Sequence, residues 1–183
     1  MGNMRQNAAI TLAIVAFQAT LNAGQAAADR RAGESRLRIG SEQIARLVGE
    51  GEERSRAFRS LIAAIERTDG LVYISDGPCV PRVRACLLMQ LDQAGPNRML
   101  RIHITLRRPD DETIVAIGHE LQHAMEVLGD TRVRTTRDMF LLYQRIGLRP
   151  PSSVMQFRTH FRFETAGALR AGETIRDELE EHR

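Results

Sequence analysis

The chain has 183 residues, a formal net charge of +3 and 43% hydrophobic residues, which suits one modest core and leaves little material for a second domain. All 26 basic residues are arginine, spread along the chain and nearly balanced by 23 acids, with only 4% aromatics. A nucleic-acid reader would cluster its charge and interleave aromatics, so binding to nucleic acid is excluded.

The first 28 residues have the layout of a secretory signal peptide: one charge at Arg5, an apolar run from Ala8 to Leu21, and a small-residue cleavage site at Ala26-Ala27-Ala28. The apolar run is shorter than the ~20 residues of a membrane span, so the expectation is a chain cleaved near Ala28, secreted or periplasmic, without stable membrane insertion. Residues 29–40 (DRRAGESRLRIG) are polar and aperiodic and read as a flexible leader. Residues 41–183 are then a single domain.

Ser41 is the expected N-cap of a helix over 42–67, whose apolar positions include Ile44, Leu47, Val48, Phe58 and Ile65, with Gly49 and Gly51 as its breaking point. Three strands follow at 71–75, 85–91 and 99–106. The last alternates, with Leu100, Ile102, Ile104 and Leu106 on one face and Arg101, His103 and Thr105 on the other. Gly95-Pro96-Asn97 supplies the turn between the second and third runs. Cys79 and Cys86 allow one intramolecular pairing, expected as a disulfide in the oxidising compartment that export implies.

Pro109-Asp110-Asp111 opens the next helix, with acids against its positive end and Gly129 as its stop. Ile114, Ile117, Gly118, Leu121, Met125 and Leu128 form its buried stripe, while His119, His123 and Glu126 point roughly the other way. A helix over 135–146, a loop around Pro150-Pro151 and a C-terminal helix over 163–181 complete the order. The fold class is α+β: an N-terminal helix, a three-stranded, mainly antiparallel sheet, a central helix and C-terminal helices.

His119-Glu120-Leu121-Gln122-His123 is an HExxH pentad. Residues i and i+4 of a helix stand one turn apart on one face, so two imidazoles can aim at one metal ion, and Glu120 can act as general base without ligating it. A catalytic zinc takes a third protein ligand. Ala116 to Met125, with uncharged residues around the pentad, resembles the zincin metallopeptidase signature, with Ala116 where Val or Thr is usual. The Gly and third His of the metzincin branch are absent after the pentad. Glu164-Thr165-Ala166-Gly167-Ala168 instead approximates the pattern in which the gluzincin branch brings a Glu from a later helix. The resemblance implies a minimal gluzincin-like domain, Zn2+ held by His119, His123 and Glu164, and a peptide or protein substrate.

Glu126 competes for the third position, or hydrogen-bonds a ligand imidazole. The small residues Gly167, Ala168, Ala171 and Gly172 suit close approach of the last helix to the motif helix. Tyr143 and His160, where related enzymes carry an oxyanion donor, are the remaining catalytic candidates. Two other readings keep the metal: a zinc-dependent amidase or deformylase-like hydrolase of a small amide, and a non-enzymatic exported protein whose zinc is structural.

Overall fold

The computed structural model describes residues 35–106, 110–148 and 163–182. The signal-peptide segment, most of the leader and His160 lie outside the described residues. The described part folds as α+β: β1 (Leu37–Ile39), α1 (Glu42–Arg54), α2 (Arg56–Ile65), β2 (Gly70–Asp76), β3 (Ala85–Leu87), β4 (Asp92–Ala94), β5 (Asn97–Ile104), α3 (Asp111–Gly129), α4 (Thr136–Ile146) and α5 (Ala166–Glu181). None of the described helices is long and apolar enough to cross a membrane.

The sheet is mixed and five-stranded, in the order β1-β2-β5-β3, with β4 also on β5. This corrects the three-stranded, mainly antiparallel expectation. β1 pairs in parallel with β2, and β2 in parallel with β5, while β3 and β4 run antiparallel along the other edge of β5. The leader's last residues are therefore structural: Leu37 pairs with Val72 and is buried. Two apolar residues in three were too short a run to show alternation.

The expected strand over 85–91 is shortened to 85–87, and a second strand, β4, begins just beyond it at Asp92. Ala85 pairs with Ile104 but Asp92 pairs with Met99, so the chain bulges between them. At the bulge Leu91 donates its amide to Thr136 Oγ1 at 3.0 Å, on α4, instead of to the sheet. Gly95-Pro96 makes the turn from β4 into β5.

The long N-terminal helix is also divided, but at Ser55 and not at the glycines. Ser55 ends α1 and caps α2, its hydroxyl accepting from the Phe58 amide at 3.0 Å and donating to Glu178 of α5 at 2.6 Å. Gly51 stays helical, packed against Ile114 and Phe58. The expected cap at Ser41 is present, and Asp110 and Thr135 cap α3 and α4 in the same way, each accepting an amide of its helix's first turn. Val72, Ile74, Leu100, Ile102 and Ile104 meet Ile44, Phe58, Ile65, Ile114, Ile117 and Leu121 in one cluster.

The motif helix α3 is enclosed on more than the predicted stripe. Val115, Glu120, His123, Ala124 and Val127 are buried as well, because α5 and β3 cover flanks expected to be open, while Met125 is only half-buried. A Cβ on Gly118 would lie 2.3 Å from the Ile175 side chain of α5, so the two helices sit closer than any larger residue permits. At its far end α3 is held by Arg98 of β5, which is fully buried. Its guanidinium donates to the carbonyls of Val127, Leu128, Asp130 and Val133 at 2.6–3.1 Å and to Asp69 Oδ1 at 2.6 Å. Those carbonyls include ones the helix cannot satisfy itself.

Candidate metal centre

Helix α3 brings His119 and His123 to one side, one turn apart, with ring centroids 4.9 Å from each other. Glu164 reaches them from the extended residues before α5: Thr165 is the N-cap, so Glu164 precedes the helix and does not belong to its first turn. The expected start of this helix at residue 163 is thus too early. Thr165 bridges Gly147, and the Leu148 amide donates to the Glu164 carbonyl at 2.7 Å, which pins the segment to the end of α4. Glu164 Oε2 lies 3.2 Å from His119 Nε2.

One ligand atom from each of His119, His123 and Glu164 lies within 4.8 Å of the other two, so this group could hold a metal ion. Bonds of ~2.0–2.1 Å to a tetrahedral ion place neighbouring ligand atoms roughly 3.3 Å apart, close to the observed His119–Glu164 separation. Two imidazoles and one carboxylate are a donor set for a borderline metal such as zinc, and three protein ligands leave a fourth position open. The donors present fit such an ion.

Glu126 belongs beside this group as the partner of His123. Its Oε2 lies 3.0 Å from His123 Nδ1. A carboxylate can only accept, so the Nδ1 nitrogen donates to it; in the neutral imidazole this tautomer has its lone pair on Nε2. The other Glu126 oxygen accepts from the Thr165 hydroxyl at 2.6 Å. That hydroxyl also accepts the Ala168 amide as the cap of α5. A Cβ at Gly167 would stand 2.7 Å from Glu126 Oε1, so the small residue there admits the carboxylate. No protein-family model, curated protein or solved structure matches this chain.

Glu120 is 8% exposed and its Oε2 accepts the Leu87 amide at 2.7 Å. Amides of an antiparallel strand point alternately to either side; Leu88 donates to Arg101 of β5, so Leu87 donates away from the sheet, toward α3. Burial pushes the Glu120 carboxyl up, against the opposing pull of His123, His119 and the Leu87 amide. The carboxyl thus stands beside two imidazoles, within reach of a proton passed between them.

Tyr143 lies beside the site but its hydroxyl donates to the His123 backbone carbonyl at 2.9 Å, and its ring stacks on Phe163. Burial, and then the charges of Glu126 and Glu120, hold this phenol well above its ordinary pKa, so it stays a donor. In this geometry it braces His123, and its proton is not aimed at a reacting atom. His103 stands on β5, its Nδ1 3.3 Å from the Pro78 carbonyl, apart from the metal group. Cys79 and Cys86 form a disulfide with Cα atoms 5.9 Å apart.

Sequence reasoning missed two partners. Thr165 carried a readable signal, a hydroxyl residue just before a helix; the Leu87 amide carried none, since a backbone donor is set by strand register and not by residue type.

Proposed function

We propose that the protein is an exported zinc-dependent metallopeptidase, with His119, His123 and Glu164 as zinc ligands and Glu120 as general base. The observation that carries this reading is the convergence of the three ligand atoms beside a buried carboxylate on the same helix. Zinc held there would supply a Lewis acid that lowers the pKa of a water and polarises a carbonyl. Glu126 and Thr165 keep His123 in the tautomer and orientation that present its Nε2 lone pair. The Leu87 amide holds Glu120 Oε2, so Glu120 takes the proton of the attacking water at Oε1 and returns it to the leaving amine nitrogen. Tyr143 fixes the backbone beneath His123.

The test is hydrolysis of a mixed peptide library, with zinc content measured on the same samples, for the wild type, Glu120→Ala and His123→Ala. Glu120→Ala is expected to keep zinc and lose activity, and His123→Ala to lose both. Peptidase activity surviving in Glu120→Ala would overturn the general base. Hydrolysis of small amides but no peptide would favour the deformylase-like alternative.

A further inference from the structure

A cleft of about 610 Å³ opens beside the metal group, with Glu120, His123 and Glu164 on its wall. That volume lies within the roughly 300–1,000 Å³ range of pockets that bury most of a small ligand. The cleft is also lined by the chain between β2 and β3, which the Cys79–Cys86 disulfide closes into a short loop. Val80, Pro81 and Val83 line it from that loop, Leu87 and Met89 from the edge strand and its bulge, and Met139 from α4.

Among the described residues, the ionisable side chains on this wall are Glu120, His123 and Glu164 of the site itself, and Tyr143, whose proton is given to the His123 carbonyl. None of the described arginines lines it. The loop shows how two are kept out. Arg84 turns away to Asp110, at 2.8 Å, and to the Thr113 hydroxyl. Arg82 lines a separate hollow with Thr105, and its φ of 71° lies in the left-handed region that favours glycine. Such conformations persist where surrounding structure imposes them, and here the disulfide spans Arg82 and Pro81 precedes it.

We infer that the disulfide-closed loop is the specificity element of this site, and that with Met89 and Met139 it selects a substrate residue bearing a large, uncharged, apolar side chain next to the cleaved bond. This rests on the peptidase reading. A charged side chain entering the cleft loses its hydration and, among the described residues, meets no partner of opposite sign except those needed for chemistry, whereas an apolar one gains by leaving water. Methionine walls are adaptable, so Leu, Met and Phe are all accommodated.

The test has a binding arm and a cleavage arm. Zinc-loaded Glu120→Gln protein is titrated with fluorescent peptides that differ at one residue, Leu, Phe, Ala, Asp or Arg; the wild type is assayed for cleavage of the same set. Leu and Phe peptides are expected to bind at least ~10-fold more tightly than Asp or Arg peptides, and Val80→Arg to move the preference at least ~10-fold toward Asp. If Val80→Arg does not fold, Val80→Thr is expected to lower the Leu-to-Asp ratio several-fold. Cleavage by the wild type without any apolar preference in either arm overturns the inference and spares the peptidase reading. Apolar-selective binding with no cleavage of any peptide does the reverse.

Discussion

Thr165 joins the two halves of the candidate centre, and replacing it by valine removes one oxygen while keeping the shape. That oxygen has two roles: it donates to Glu126 Oε1 at 2.6 Å and accepts the Ala168 amide at 3.0 Å. The residue is 2% exposed, so water cannot easily substitute for either bond. A hydrogen bond to a charged group contributes about 1.5–3 kcal/mol, and loss of an N-cap costs about 1 kcal/mol. Thr165→Val is therefore expected to lower unfolding free energy by about 3 kcal/mol in urea titrations. It is also expected to weaken zinc binding by about 10- to 100-fold, because Glu126 orients the imidazole of His123. Competition with a chromophoric chelator measures the second effect on folded protein, separately from the first. Thr165→Ser restores the hydroxyl and should recover most of both. Zinc affinity unchanged in Thr165→Val, with stability reduced by the cap alone, would refute the linkage from Thr165 through Glu126 to His123.

Arg98→Met leaves four carbonyls without this donor, and is expected to destabilise by about 3–5 kcal/mol in the same titration, since each buried acceptor left unpaired costs about 1–3 kcal/mol. A loss under about 1 kcal/mol would mean that the end of α3 is held by something else. The double variant Cys79→Ser, Cys86→Ser, compared with the oxidised wild type, is expected to lose about 2.5 kcal/mol from the released loop entropy; an unchanged denaturation midpoint would contradict it. Gly167→Ala puts a methyl group against the Glu126 carboxylate and should weaken zinc binding more than it lowers stability, whereas the opposite ranking would show that the close approach only serves packing.

Much of the framework follows from local chemistry. The caps at Ser41, Asp110 and Thr135 are hydroxyl or carboxyl residues just before periodic apolar runs, and the alternation of Leu100, Ile102 and Ile104 marks a strand with one face in the core. Helical spacing alone puts His119 and His123 together. What escaped the sequence depends on partners far along the chain. β1 is stable only because β2 lies beside it, and the break at Ser55 is favoured by Glu178, which reaches its hydroxyl and the Ala57 amide from α5. The carboxylates near the pentad were visible as rivals, but their geometry depends on where Thr165 ends the extended segment. Glu164 reaches His119 from before the helix, while Glu126 is turned to the Nδ1 side of His123.

The most direct test of the account is zinc titration of the purified wild type alongside His123→Ala, Glu164→Ala and Glu126→Ala. One ion per wild-type chain is expected, with binding lost in His123→Ala, severely weakened in Glu164→Ala, and weakened only about 10- to 100-fold in Glu126→Ala. Full zinc occupancy in Glu164→Ala together with loss in Glu126→Ala would contradict the ligand set on which the proposed chemistry depends.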